Sequence, residues 1–100
     1  MPQLTTDAVI TDINGNEANY TEDELMTTGH VMRMALDQFT EDSGGVYKLF
    51  QIMQTLDTEE NPEFDDADLD QIEKAVTNMQ GLGNFAKGQV LEEIKDARDA

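Results

Sequence analysis

Two acidic segments space oxygen-bearing side chains as a calcium loop does. Asp12, Asn14 and Asn16 fall at loop positions 1, 3 and 5, with Asp23 at position 12. Asp57, Glu59, Asn61 and Asp68 repeat the spacing, and Phe64 takes the apolar eighth place. The sharp turn around the ion needs glycine at position 6. Glu17 and Pro62 stand there instead, and no helical pattern precedes the first loop. A hairpin turn and a capped acidic loop explain the same residues with fewer requirements, so no metal ligand is assigned. A divergent calcium-binding helix–loop–helix module remains only as a third reading.

Other candidate chemistry is thinner. Asp65 and Asp68 are a carboxylate pair of the kind that does acid–base work, but nothing nearby in sequence supplies a nucleophile or an apolar pocket. There is no cysteine, which removes thiolate zinc sites and disulfide scaffolds, and His30 as the only histidine nearly excludes His-rich metal sites and Ser-His-Asp triads. Gly44-Gly45 and Gly81-Leu82-Gly83 lack the lysine and the preceding strand of a phosphate loop. The expectation is a protein with no catalytic residues, no cofactor and no small-molecule substrate.

The chain has 100 residues, enough for one domain with one small core. Its 22 acids against 6 bases give a net charge of −16. That excludes a nucleic-acid binder working through a basic surface, because phosphate contacts need clustered Lys and Arg. No apolar stretch is long enough to cross a membrane, and Met1-Pro2-Gln3 opens neither a basic nor an apolar run. A protein not secreted by a signal peptide is expected.

Such acidity repels itself, and three readings account for it: a solvated surface that keeps the protein soluble, adaptation to high salt, or an acidic face that binds a basic partner or imitates DNA. Twelve Asp against four Lys, with ten Thr, fit halophilic adaptation. The acids are also clustered. Nine lie between Asp57 and Glu73 with no Lys or Arg among them, including Glu59, Glu60, Glu63, Asp65, Asp66 and Asp68. An electrostatic binding surface, where there is one, is expected there.

The elements that must position these residues read as mainly α, with α+β as the alternative. Residues 1–20 are expected to form a β-hairpin arm: Ala8 to Ile13, an Asn14-Gly15 type I′ turn, and a weak return strand from Asn16 to Tyr20. Residues 21–100 are expected to form about four helices in a small bundle. Thr21 and Glu24 have capping-box spacing, and Leu25, Gly29, Met32, Ala35, Leu36 and Phe39 follow as one stripe ending near Thr40. After the Ser43-Gly44-Gly45 break, Val46, Leu49, Phe50, Met53 and Leu56 make a second stripe. Asp65 or Asp66 caps a third helix with Leu69, Ile72, Val76 and Met79 inward, stopped by Gly81-Leu82-Gly83. Asn84 caps a last helix bearing Val90, Leu91 and Ile94, in which Gly88 suggests a close backbone approach. Met26, Val31 and Met34 on the first helix and Ile52 on the second lie off the stripes. They are either buried by neighbouring helices or form a Met-rich contact patch for a protein partner or a second copy.

The layout resembles a loose group of small proteins of about this length from tailed phages and prophages. The residues that carry the likeness are Ile10-Thr11-Asp12-Ile13-Asn14-Gly15, then Asp68-Leu69-Asp70-Gln71-Ile72 with Val76, and Lys87-Gly88-Gln89-Val90 with Leu91. Lys87 departs from the group, which is apolar there. The resemblance implies a virion structural or assembly component, located in the virion or the host cytoplasm, with no active site. The rival expectation is an acidic inhibitor that occupies the nucleic-acid groove of a host protein through Asp57–Glu73.

Overall fold

Three short extended segments close on one another before the first helix begins. The Ile10 N–H donates to the Met26 carbonyl, the Met26 N–H to that of Ala18, and the Ala18 N–H to that of Ile10, each at 2.9 Å. Antiparallel bridges Thr11–Glu17 and Val9–Thr27 flank this ring. So does the hairpin of β1 (Asn19–Thr21) and β2 (Glu24–Leu25). An isolated two-stranded hairpin is barely stable in water. Here the third segment pairs with both of the others, which leaves little free edge. The computed structural model describes residues 3–39 and 45–99.

The mainly helical reading holds: α1 (Thr28–Gln38), α2 (Gly45–Thr58), α3 (Asp66–Asn78) and α4 (Asn84–Asp99) follow the hairpin. α1 is the central helix and packs against the other three. Its Val31, Met32, Ala35 and Leu36 are buried, and they meet Leu49, Ile52 and Leu56 of α2, Leu69, Ile72 and Val76 of α3, and Val90 and Ile94 of α4 in one core. Burying a side chain of this size stabilises the fold by about 1.5–3 kcal/mol.

Several local expectations need correction. Thr21 caps no helix: Thr21 to Glu24 form the end and turn of the hairpin, and α1 starts seven residues later. Thr27 is its N-cap, and the return bond of the capping box comes from His30, whose Nδ1 accepts from the Thr27 N–H at 3.0 Å. Leu25 is accordingly a half-exposed strand residue and not the start of the α1 stripe. The Asn14-Gly15 turn is present, closed by the Gly15 N–H on the Asp12 carbonyl at 3.0 Å. Only Gly15 of the pair has positive φ, so the turn is not of type I′. The Asp65 cap is as expected, its carboxylate accepting from the Asp68 N–H at 2.8 Å. Thr40, Ser43 and Gly44, expected at the first break, lie outside the described residues.

In α2 the inward stripe is Leu49, Ile52 and Leu56, while Val46 and Phe50 turn outward. The glycine that permits a close approach is Gly29, not Gly88. A Cβ on Gly29 would sit 2.8 Å from the Thr6 carbonyl oxygen, whereas one on Gly88 would meet nothing within 4 Å. The Gly29 N–H donates to that same oxygen at 2.9 Å. Gly29→Ala should therefore lower stability by about 1–3 kcal/mol through overpacking. Gly88→Ala should raise it by up to about 1 kcal/mol through helix propensity. Urea unfolding of both variants checks the pair; equal shifts would mean that the Thr6 contact yields freely.

Candidate functional site

The four residues expected as an apolar contact patch do not lie together on the surface. Val31 is fully buried and Ile52 is 2% exposed, so both belong to the core and offer nothing to a partner. The reason is the central position of α1: three helices cover two of its faces. Met26 is partly buried, its backbone held in the three-segment ring. Of the four, Met34 alone borders an open groove.

That groove runs between α1 and α2. Met34 of α1 and Phe50 and Met53 of α2 give it an apolar lining, Tyr20 of β1 contributes to its wall, and its volume is about 410 Å³. Beside it, Val46 is 84% exposed, Tyr47 70% and Phe50 49%. Sequence reasoning missed this surface because α2 carries two apolar stripes of similar strength. The usable signal was how each stripe ends. Leu49 and Ile52 continue to Leu56, while Val46, Phe50 and Met53 continue to Asp57, an acid that belongs in water.

Electrostatics around the groove are set by a few ion pairs. Arg33 lines it and is held by Asp57, Nη1 to Oδ1 at 2.6 Å. Asp37 also lines it and has no ion pair among the described residues. Tyr20 stacks flat on His30, ring centroids 4.1 Å apart and planes 4° from parallel. The His30 Nε2 lies 3.5 Å from Glu24. Because Nδ1 accepts the Thr27 amide, the neutral ring carries its proton on Nε2, facing that carboxylate.

The acidic segment Asp57–Glu73 is less free than its composition suggests. Asp57 pairs with Arg33, Asp68 with Lys48 at 3.2 Å, and Asp70 and Glu73 both with Arg98, the latter at 2.6 Å. Asp65 is committed to capping α3. Glu63 bridges to Gln3 through the backbone. Glu59, Glu60 and Asp66 are exposed. Arg33, Lys48 and Arg98 thus return to this stretch from three different helices.

The calcium-like spacings resolve into turns. Asp12 Oδ1 accepts from the N–H groups of Asn14 and Asn16, both at 2.9 Å, so the carboxylate organises its own loop. The Asn61 side chain accepts from the Thr6 N–H at 3.0 Å, and its own N–H donates to the Thr6 hydroxyl at 3.2 Å. No cluster of three or more metal-ligating carboxylates or imidazoles forms among the described residues. Elsewhere, the hydrogen bond and charge of Asp99 raise Lys95 above the ordinary lysine range, an exposed i,i+4 pair at the end of α4. A second cleft of about 670 Å³ opens between the C-terminal ends of α1 and α3, lined by Phe39 and Met79 and bridged by Gln38 and Gln80.

His30→Phe should keep the ring stack on Tyr20 but remove the acceptor for the Thr27 amide. A loss of about 0.5–2 kcal/mol is expected, as for other helix caps. Thermal unfolding with unchanged near-ultraviolet Tyr20 signal would match this; no loss of stability would mean that water replaces the cap. Comparison with protein-family models, with curated proteins and with solved structures finds no match.

Proposed function

We propose that the protein is a non-enzymatic interaction subunit and, on its resemblance to small tailed-phage proteins, a virion structural or assembly component acting in the virion or the host cytoplasm. The observation that carries the reading is the outward face of α2. Val46, Tyr47 and Phe50 are large apolar side chains exposed within two helical turns. Full burial of a Val or Phe side chain is worth about 1.5–3 kcal/mol, and the share of it left in water here is what a partner recovers on contact. No cofactor or metal enters the proposal, and no carboxylate pair is given a catalytic role. The internal pairing of Asp57, Asp68, Asp70 and Glu73 favours this apolar surface over the rival in which residues 57–73 imitate nucleic acid.

Capture of the tagged protein from infected-cell lysate, washed at rising salt, separates the two. The wild type should retain virion proteins at high salt, and Phe50→Asp should lose them while keeping its far-ultraviolet spectrum. Combined Glu59→Lys, Glu60→Lys and Asp66→Lys, which touches neither the α3 cap nor any of these ion pairs, should change retention little. Salt-labile capture of a basic nucleic-acid-handling protein, abolished by the triple variant and not by Phe50→Asp, would overturn the proposal in favour of the inhibitor.

A further inference from the structure

The groove between α1 and α2 has a chemistry that names its occupant. We infer that it docks a basic amphipathic helix of a partner protein, an inference that rests on the interaction-subunit reading and specifies the partner. Val46, Phe50 and Met53 lie at i, i+4 and i+7 of α2, so they form one stripe about 10 Å long. Met34 faces Phe50 and Met53 from α1 across the groove. Two helices with an apolar trough between them accept a third helix by ridge-into-groove packing, read by anchors at the same spacing on the incoming segment. Two methionines in the lining let the trough adapt to the anchor's shape.

Charge supplies the choice of partner. The one cation lining the groove, Arg33, is already paired with Asp57, and Asp37 stands unpaired among the described residues. Each chain carries −16, so a second copy seated here would bring the pair to −32, that is, twice −16. Repulsion of that size opposes self-association and favours a segment rich in Lys or Arg, whose charges meet the rim while its apolar face fills the trough. An extended peptide is disfavoured: apart from Tyr20 of β1, every residue lining the groove comes from a helix, and helices offer no strand edge to pair with.

Fluorescence anisotropy with three labelled peptides of about 18 residues, roughly five helical turns, tests this directly. One has a Leu/Phe stripe at helical spacing on a Lys-rich background. The second has the same composition scrambled to break the stripe, and the third keeps the stripe with Glu in place of Lys. At about 0.15 M salt, where charges are screened beyond roughly 8 Å, the first should bind at least about ten-fold tighter than either control. Phe50→Asp and Met34→Asp, each confirmed folded by circular dichroism, should each weaken it by about ten-fold or more, as loss of a central anchor does. Equal binding of the scrambled peptide would reduce the attraction to charge alone and overturn the inference. So would indifference to Phe50→Asp, or a wild-type dimer by sedimentation that Phe50→Asp converts to monomer, which would make the occupant a second copy. If no peptide binds but Phe50→Asp still abolishes virion-protein capture, this inference falls and the interaction subunit stands. If Phe50→Asp affects neither, both fall.

Discussion

The contact between Thr6 and Gly29 is the constraint on which the rest of the structure depends. A helix start leaves its first N–H groups without internal partners, and α1 is the most buried helix of the four. The extended N-terminal segment supplies the missing acceptors: the Thr28 N–H donates to the Ala8 carbonyl and the Gly29 N–H to that of Thr6. The same segment reaches the loop between α2 and α3 on its other side, where Thr6 exchanges two hydrogen bonds with Asn61 and the Leu4 N–H donates to the Pro62 carbonyl. Asn61 adopts positive φ, a conformation Asn tolerates better than most residues. One extended segment therefore fixes where α1 begins and where the chain turns toward α3, and with Leu4 fully buried it is part of the core.

Within this frame the few cations act as ties between elements. Arg33 joins α1 to α2, Lys48 joins α2 to the start of α3, and Arg98 joins α4 to α3 through two carboxylates. Each exposed pair contributes little stability by itself, about 0–1 kcal/mol. Their placement matters more than their strength, because they relieve repulsion where acids are densest. A side-chain clasp does similar work on the hairpin. Gln89 of α4 accepts from the Thr11 N–H and hydroxyl and donates to the Thr11 carbonyl at 2.7 Å, standing in for a neighbouring strand.

Legibility in the sequence follows how local each feature is. The α3 stripe and its Asp65 cap are decided within a dozen residues, and both were readable. The start of α1 was not, because Thr21 with Glu24 and Thr27 with His30 are both capping spacings. The choice between them is made at a distance: the ring through Ile10, Ala18 and Met26 requires residues 24–26 to be extended. Val31 and Ile52 looked like surplus apolar residues because no single-helix pattern reveals that α1 sits in the middle. The groove is a property of two helices together, so only the termination of one α2 stripe at Asp57 pointed to it. Gly29 and Gly88 are alike as letters, and only the position of Thr6 separates them.

In the proposed docking, an acidic field and an apolar trough on one small molecule divide recognition between two ranges. The field acts over about a Debye length, roughly 8 Å in physiological salt, and raises encounter rates with positive surfaces without fixing a geometry. The trough acts only on contact, where Met34, Phe50 and Met53 reward a matching shape. Had the acids all remained free, the field would attract any basic surface equally. Drawing Asp57, Asp68, Asp70 and Glu73 into internal pairs mutes the densest stretch and leaves the apolar face of α2 as the more discriminating feature. One of these pairs, Arg33–Asp57, also holds α1 to α2 and so keeps the two walls of the groove in register. At Arg33 and Asp57, charge balance inside the fold and the selectivity proposed for its surface rest on the same interaction.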